Sequence, residues 1–314
     1  MEKDMEKIYD VAIIGGGAAG YSAALYASRA GLSAAVIEKM SVGGQMALTD
    51  IIENYPGFDE GVDGFTLGMK MQQGAERFGA ETVYAEVLSV DFSEKIKRIV
   101  TDGSEVLART VIIATGAYPR TLGIKGENER FGRGVHYCAH CDGRFYKGKR
   151  VAVIGGGNSA VSDAAYLSNI AESVILVHRR DTFKAEKVYE DRLRRSDNVE
   201  FVLDSLTERI LYGDDGVKGI EVRSKRDGKT HTIPCDAVFV AIGRSPSTEI
   251  FKSVLNLDGN GYIVADESTR TSVPGVFAAG DVRTKAVRQV VTAASDGAVA
   301  VHYAEQYLAS TNFD

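Results

Sequence analysis

DVAIIGGGAAG, at residues 10–20, recurs as RVAVIGGGNSA at residues 150–160, and this internal repeat decides the fold. In each copy an apolar run enters three glycines, continues into an alanine-rich stretch and is followed by a second apolar run. Strand, glycine turn, helix and strand form a βαβ unit, so the chain contains two such units. The predicted helices cover 18–30 and 161–171, and the second strands cover 34–37 and 174–177.

The closing strands of the two units also match. TVIIATGAYP (110–119) and AVFVAIGRSP (237–246) are apolar and end in Ala-x-Gly, with a proline three residues on. A third such segment, GVFAAGD (275–281), precedes a helical pattern over 290–308 and completes the first unit if the second is inserted in it. We therefore predict an α/β fold of two Rossmann-like dinucleotide-binding domains of the three-layer ββα type, the second inserted in the first. The predicted domains are 1–120 together with 247–314, and 121–246.

Length and composition fit a two-domain globular protein. The 314 residues make about two domains of ~150 residues, and 44% hydrophobic with 25% charged residues is ordinary for such proteins. A net charge of −6 argues against nucleic-acid binding. The N-terminus has no apolar signal-peptide core, and the most apolar stretch, 11–37, is interrupted by five glycines and by Arg29. We expect a cytoplasmic protein without a membrane span.

The first glycine turn predicts a dinucleotide site. Gly15, Gly17 and Gly20 follow a strand and open a helix, so backbone amides and the helix N-terminus can face a pyrophosphate. Glu38 closes the second strand, where a carboxylate accepts hydrogen bonds from ribose hydroxyls. This favours an adenosine without a 2′-phosphate, as in FAD or NAD. The alternative is a solvated glutamate before Lys39.

The second glycine turn predicts a different dinucleotide. Its motif residues are Gly155, Gly157 and Ala160. Counting the 23 residues that separate Gly15 from Glu38 leads here to a histidine, which opens a basic cluster. Guanidinium groups bind phosphate well, so this cluster favours the 2′-phosphate of NADP, the alternative being a solvated basic loop. The cluster consists of His178, Arg179, Arg180 and Lys184.

Two of the three cysteines form a CxxC pair, Cys138 and Cys141. This spacing permits a disulfide and lowers thiol pKa values in known motifs, which favours thiol exchange. Metal binding with His136 or His140 is an alternative, but no second CxxC is present and we predict no metal. A purely structural pair is the other alternative.

The neighbours of the cysteine pair suggest further roles. Asp142 follows it directly and can serve as the acid or base of thiol chemistry, or simply as the aspartate of an Asp-Gly turn. His140 can stabilise a thiolate if it is protonated, or can merely fill the loop. The third cysteine, Cys235, lies in a strand-like run and is expected only to pack.

The motifs occur together in a specific order. The chain contains, in succession, GGGAAG, GGQM, ENYPG, CAHCDG, GGGNSA, HRR and GDV followed by RQ. With them it resembles the low-molecular-weight bacterial-type thioredoxin reductases over nearly its full length. The resemblance implies FAD in the first domain, NADP and the redox pair in the second, thioredoxin or a thioredoxin-like protein as partner, and a homodimer. It also implies that the flavin is lined by Gly43, Gly44, Gln45 and Asn54, and that its ribitol and isoalloxazine are reached by Asp281, Arg288 and Gln289.

Two residues depart from the family pattern. His140 stands where the family usually has threonine, and CxHC resembles the flavoprotein component of alkyl hydroperoxide reductase. That relative carries an additional N-terminal disulfide domain and lacks HRR, so thioredoxin remains the expected acceptor. Lys184 ends the HRRxxxR pattern where the family has arginine, which replaces a planar fork by a point charge and weakens the expected preference for NADP.

Other functions stay open on sequence alone. They are a reductase of another thiol protein, a reductase with a different electron donor, and a flavin-binding redox sensor. The spacing of the cysteines does not decide which of them faces the flavin. Because the redox pair and the second nucleotide turn belong to one inserted domain, both must take turns at the flavin, and we hypothesise a rigid rotation with hinges near Gly116 and Gly243.

Overall fold

The computed structural model describes residues 7–49 and 51–313. Within them the chain forms seventeen strands and six α-helices. The strands are β1 (Ile8–Ile14), β2 (Ala34–Glu38), β3 (Glu81–Tyr84), β4 (Val87–Asp91), β5 (Lys97–Thr101), β6 (Glu105–Ile113), β7 (Ala117–Pro119), β8 (Val135–His136), β9 (Arg150–Ile154), β10 (Ser173–Val177), β11 (Val199–Val202), β12 (Ser205–Gly213), β13 (Gly216–Ser224), β14 (Thr230–Pro234), β15 (Ala237–Val240), β16 (Arg244–Pro246) and β17 (Val276–Ala278). The helices are α1 (Ala18–Arg29), α2 (Gly64–Glu76), α3 (Ala139–Asp142), α4 (Asn158–Ser168), α5 (Lys187–Leu193) and α6 (Val290–Ser310).

The chain divides into two compact units. The first, called the outer unit, runs up to Tyr118 and resumes at Ser245. The second, called the inserted unit, is Pro119–Arg244. Each unit has its own sheets and its own hydrophobic clusters.

The outer unit is built on a seven-stranded sheet. Strands β3, β2, β1, β6 and β17 run parallel, and β5 and β4 continue the sheet from β6 as antiparallel strands. Successive side chains of a strand point to opposite faces. Val11 and Ile13 of β1 therefore pack in the cluster formed with α1 and α6, whereas Ala12 and Ile14 pack with the antiparallel strands and with Phe251.

The inserted unit has three layers. A parallel sheet in the order β11-β10-β9-β15-β8 lies between α4 and an antiparallel sheet of β12, β13 and β14. The alternation is again visible in β9, where Val151 and Val153 pack with α4 while Ala152 and Ile154 pack with β13. This ββα layering agrees with the predicted fold class, and both expected βαβ repeats are present.

Element ends differ from the sequence prediction by a few residues. The second repeat helix begins at Asn158 rather than at 161, because it starts directly after the glycine turn, where polar residues hide the apolar period. It ends at Ser168, where the side chain of Asn169 donates a hydrogen bond to the Ala165 carbonyl at 2.7 Å. Cys235 is 4% exposed and packs in the cluster between the two sheets, and burial raises the pKa of its thiol to about 12. None of the described helices has the length and apolar character that crossing a membrane requires.

Candidate functional site

The glycine turn after β1 opens into a cleft of about 260 Å³ in the outer unit. The cleft lies at the carboxyl ends of parallel strands, where α/β sheets bind their ligands. Segments that are distant in sequence meet there: the turn, the loop after β2, and the chain between β17 and α6. The sequence-predicted residues that line it are Gly15, Gly17, Glu38, Gly43, Gly44, Gln45, Asp281 and Gln289.

Gly15 and Glu38 shape the floor of this cleft. Gly15 has a positive φ of 109°, and a Cβ there would lie 2.6 Å from the Ala114 carbonyl oxygen, so no other residue fits the turn. The Glu38 carboxylate accepts hydrogen bonds from the backbone N–H groups of Gly16 at 2.7 Å and Met40 at 3.0 Å. Both oxygens are thereby held at the end of β2, and each keeps acceptor capacity for a further donor such as a ribose hydroxyl.

The other predicted flavin residues support the cleft from behind or from its rim. Gly20 allows α1 to approach the turn, because a Cβ at Gly20 would lie 1.9 Å from the Gly15 carbonyl oxygen. The Asn54 side chain donates to Gln289 Oε1 at 3.1 Å. Arg288 donates to the carbonyl oxygen of Asp281 at 3.4 Å and lies over the Tyr262 ring at 4.1 Å.

The second turn also brings its first glycine against a backbone carbonyl, but a different side chain lies beside it. At Gly155 a Cβ would lie 2.3 Å from the Ala241 carbonyl oxygen, which matches the approach of Ala114 to Gly15. Where Glu38 bonds to Gly16, the His178 ring lies on Gly156, with ring atoms 2.2 to 2.4 Å from where a Cβ would be. The repeat therefore replaces a carboxylate acceptor by an imidazole at the same register.

The basic cluster divides into one buried and three exposed members. His178 is 8% exposed and its ring stacks on Phe183. Burial, followed by the charges of Arg179 and Arg180, lowers the pKa of His178, so its ring is neutral at pH 7. The side chains of Arg179, Arg180 and Lys184 are exposed. The expected cationic cluster is thus carried by these three residues, while His178 packs.

Cys138 and Cys141 form a disulfide with an S–S distance of 2.07 Å. Cys138 caps the single-turn helix α3, and its Sγ accepts a hydrogen bond from the Cys141 N–H at 3.2 Å. Both cysteines are partly exposed, as exchange with an outside disulfide requires. Among the described residues, no group of three His, Cys, Asp or Glu side chains lies close enough to hold a metal ion.

Three residues around the disulfide were not assigned catalytic roles from the sequence. His136 Nδ1 lies 3.1 Å from the Asp142 carboxylate, and Tyr146 lies on the far side of the same ring. The third is Asp163 of α4, whose Oδ1 lies 3.8 Å from His140 Nδ1. Burial raises the pKa of Asp163 to about 7, although the charge of Arg244 lowers it. The position of His136 two residues before Cys138 was the available signal, but only the fold shows which way its ring points.

The His140 side chain is engaged within the inserted unit. Its ring stacks on Tyr166 with a centroid distance of 4.2 Å and an interplanar angle of 21°. Half of the side chain is still exposed beside the disulfide. His140 is therefore a fixed part of the surface around the redox pair.

Comparison with known proteins adds to this geometry. Residues 9–297 match the sequence profile of the pyridine nucleotide-disulphide oxidoreductases. A thioredoxin reductase of Listeria monocytogenes is 46% identical over 303 residues, which cover 96% of this chain and 95% of that protein.

Solved structures resemble the chain over its whole length. A thioredoxin reductase of Streptococcus pyogenes has a TM-score of 0.90 at 43% identity, covering 97% of this chain and 99% of that one. The Lactococcus lactis thioredoxin reductase in its FR conformation has a TM-score of 0.68 at 38% identity, covering 96% and 100%.

Proposed function

Because the chain belongs to the pyridine nucleotide-disulphide oxidoreductase family, we propose that it is a thioredoxin reductase that carries electrons from NADPH through FAD to the Cys138–Cys141 disulfide and on to thioredoxin. One observation carries the proposal. The inserted unit holds a partly exposed disulfide 14 residues before a dinucleotide turn, while the outer unit has a second dinucleotide cleft of its own. Two nucleotide sites and one dithiol are the parts that such an electron path needs.

The outer cleft fits FAD. Its glycine turn leaves room for a pyrophosphate at the N-terminus of α1, and Glu38 offers two anchored carboxylate oxygens to a ribose. When bound there, FAD would take a hydride from NADPH and supply two electrons to a disulfide. The residues proposed to line or support it are Gly15, Gly17, Gly20, Glu38, Gly43, Gly44, Gln45, Asn54, Asp281, Arg288 and Gln289.

The turn of the inserted unit fits NADP. Gly155, Gly157 and Ala160 leave the N-terminus of α4 open for its pyrophosphate. The exposed guanidinium groups of Arg179 and Arg180 are suited to a 2′-phosphate, and Lys184 adds a third positive charge. A neutral His178 beneath them accepts no ribose hydrogen bonds of the kind that Glu38 accepts through two oxygens, which favours NADPH over NADH.

The dithiol exchange uses residues of α3. A thiolate of the reduced pair attacks thioredoxin's disulfide, whose S–S bond breaks with its electron pair on the leaving sulfur. The second enzyme thiol then gives its proton to the Asp142 carboxylate and attacks the mixed disulfide, and Asp142 returns that proton to the second thioredoxin sulfur as it leaves. Two electrons and one proton thus pass from the enzyme to thioredoxin, and the thioredoxin sulfur that left first takes its proton from solvent. The Cys141 N–H would stabilise negative charge on the Cys138 sulfur.

We also propose a cytoplasmic homodimer. The cytoplasm is proposed because the disulfides that occur in reducing compartments are usually catalytic ones. The dimer is proposed because the outer unit exposes several large apolar side chains that a second copy can cover. These side chains are Tyr26, Phe65, Phe78, Tyr84 and Leu88.

The first test follows oxidation of NADPH and of NADH by the purified yellow protein with thioredoxin from the same cell. We expect turnover with thioredoxin and a preference for NADPH. Turnover only with a peroxidase-type thiol protein would favour the alternative that the CxHC motif suggests, a reductase of another thiol protein. No turnover with any thiol protein would favour a redox sensor.

Replacing either redox cysteine by serine tests the electron path. We expect Cys138→Ser and Cys141→Ser to lower thioredoxin turnover by about three orders of magnitude or more, because a lone thiol cannot close the disulfide. Flavin bleaching by NADPH should persist in both. A thiolate-to-flavin charge-transfer band in only one variant identifies the cysteine that faces the flavin. Cys235→Ala, at the buried third cysteine, is the matched control and should retain turnover.

A further inference from the structure

A short hydrogen-bonded chain leads from the redox helix into the inserted unit. His136 Nδ1 lies 3.1 Å from Asp142 Oδ2, and His136 Nε2 lies 2.8 Å from the Tyr146 hydroxyl. Three neighbouring elements supply the members: β8 carries His136, α3 ends at Asp142, and the 3₁₀ turn after α3 ends at Tyr146. Both ring nitrogens of His136 therefore have a polar partner.

The surroundings of His136 fix its ring. The residue is 5% exposed, and its backbone pairs in register with Phe239 of β15. Its ring stacks on the Phe239 ring with centroids 5.3 Å apart, and the Tyr146 ring meets it edge-on at 5.2 Å. The imidazole is thus held between two aromatic rings at the edge of a parallel sheet. This packing fixes the orientation of the ring, so Nδ1 keeps pointing toward Asp142.

The two partners also fix the tautomer. A carboxylate that faces an imidazole accepts its N–H, so Nδ1 carries the proton toward Asp142, and a ring with this proton alone accepts the Tyr146 hydroxyl at Nε2. Burial, followed by the charges of Asp142 and Asp236, raises the pKa of Tyr146 to about 12, so this hydroxyl keeps its proton. The hydrogen-bond direction is therefore Tyr146 to His136 to Asp142.

We propose that His136 is the positioning residue for Asp142. It donates Nδ1–H to one carboxylate oxygen and so fixes the orientation of the carboxylate directly after the redox pair, in the way a second residue orients an active-site base. No proton leaves His136 during exchange, since the proton moves only between the sulfurs and Asp142. The inference rests on the proposed role of Asp142 in dithiol exchange.

Two amide substitutions at His136 distinguish the role of Nδ1 from that of Nε2. An asparagine amide places its N–H near the position of Nδ1, whereas a glutamine amide reaches the position of Nε2. We expect His136→Asn to keep most of the exchange rate and His136→Gln to lose about tenfold or more of it. The loss should fall on kcat with an unchanged KM for thioredoxin. His231→Gln, at an exposed histidine of β14, is the control and should match the wild type.

The exchange step is measured on the dithiothreitol-reduced holoenzyme in two ways, with thioredoxin and with a small aromatic disulfide. Equal losses in His136→Asn and His136→Gln, or no loss in either, would overturn the inference. In an Asp142→Asn background, His136→Gln should not lower the exchange rate any further. If His136 were purely structural, its replacement would lower the exchange rate by the same factor in both backgrounds. If the wild type exchanges with the small disulfide but not with thioredoxin, the proposed acceptor is wrong, and the variant ratios still decide the role of His136.

If either histidine variant unfolds, Tyr146→Phe provides the second measurement. It leaves the His136 ring in place and removes the donor that fixes the tautomer. We expect a smaller loss of exchange rate than in His136→Gln, of about threefold to tenfold. An unchanged rate would contradict the tautomer argument.

Discussion

At the scale of single residues, Asp163 is a carboxyl group whose surroundings favour its neutral form. It lies on α4 with 18% of its side chain exposed, and burial raises its pKa from 3.8 to about 7. Between these values the folded chain holds a proton that the unfolded chain has released. By linkage the contribution of Asp163 to stability is fully present below pH 4 and is lost as the pH rises toward 7.

Asp163→Asn should remove this pH dependence. We expect its advantage over the wild type in free energy of unfolding to be about 2–3 kcal/mol larger at pH 7.5 than at pH 5. Urea unfolding at both pH values measures the difference. Asp197→Asn, at an exposed aspartate of the same unit, is the control and should stay within about 0.5 kcal/mol of the wild type at both. An advantage that does not change with pH would contradict the assignment.

The exposed arginines of the basic cluster make a second residue-scale prediction. Charge-assisted hydrogen bonds contribute about 1.5–3 kcal/mol, so Arg179→Ala and Arg180→Ala should each raise the KM for NADPH by about tenfold or more. The KM for NADH should not change, because NADH has no 2′-phosphate. Steady-state kinetics with both donors measures this, with Lys218→Ala of β13 as a control for lost positive charge. Parallel increases for NADPH and NADH would argue against a 2′-phosphate site.

At this scale the sequence predicts which chemical groups a site contains better than it predicts the environment of each group. Counting from the glycine turns leads to Glu38 and His178 because repeats conserve register. It cannot show that the His178 ring lies buried on Gly156 and is neutral, since burial depends on Phe183 and on the sheet. For the same reason the sequence offered His136 only as a metal ligand.

At the scale of elements, the start of α6 is held by a buried ion cluster. The Asp296 carboxylate accepts hydrogen bonds from Arg283 at 2.9 Å and from Lys285 at 2.8 Å. It also accepts the Gly280 N–H at 2.8 Å, next to Asp281 in the cleft. Burial raises the pKa of Asp296, but these hydrogen bonds outweigh it and hold the pKa below its ordinary value. The cluster therefore ties α6 to the cleft wall.

Asp296→Asn should weaken both the attachment of α6 and the wall of the cleft beside Asp281. It leaves the buried Lys285 without its anion and Arg283 with only the exposed carboxylate of Glu267 at 3.7 Å, which costs about 3–5 kcal/mol in free energy of unfolding. We also expect FAD to dissociate more readily on dilution, measured by the rise in flavin fluorescence. Glu305→Gln, at an exposed position of the same helix, should change neither quantity. Unchanged FAD retention despite lower stability would confine the cluster to a structural role.

Element identities were predictable where the apolar period is strong. The strands of both repeats and α6 follow from the apolar runs and the helical pattern. Asp215-Gly216, a dipeptide typical of tight hairpin turns, lies at the hairpin between β12 and β13. The ion cluster was not predictable, because its members lie up to 13 residues apart on a loop and a helix. Their proximity is set by the packing of α6 against α1, where a Cβ at Gly297 would lie 2.2 Å from the Ala19 carbonyl oxygen.

At the scale of the whole molecule, two chain crossings connect the units. The crossing strands β7 and β16 pair with each other. In the outer unit Ser247 N–H donates to the Gly116 carbonyl oxygen, and in the inserted unit Arg120 N–H donates to the Gly243 carbonyl oxygen, both at 3.0 Å. Paired strands of this kind can turn together. We propose them as the hinge by which the redox pair and the NADP site alternate at the flavin.

Gly116 offers a matched test of the hinge. It has a φ of +70° with nothing within 4 Å of an added Cβ, and Gly148, a turn residue of the inserted unit, has a φ of +69° in equally open space. Alanine at either position should therefore cost the same, about 1 kcal/mol in free energy of unfolding. Only Gly116→Ala narrows the backbone range that a rotation uses, so only this variant should lower kcat. Because Gly116 also lines the cleft proposed for FAD, kcat is compared on protein saturated with FAD, and the KM for NADPH should stay unchanged.

The half-reactions decide between a biased hinge and general damage. A hinge shifted toward one arrangement speeds or preserves one half-reaction and slows the other, because each needs a different unit position. Stopped-flow flavin reduction by NADPH and reoxidation by thioredoxin should therefore change unequally in Gly116→Ala and stay at wild-type rates in Gly148→Ala. Equal slowing of both steps in both variants would reflect lost stability alone, and wild-type rates in Gly116→Ala would place the pivot elsewhere in the crossings.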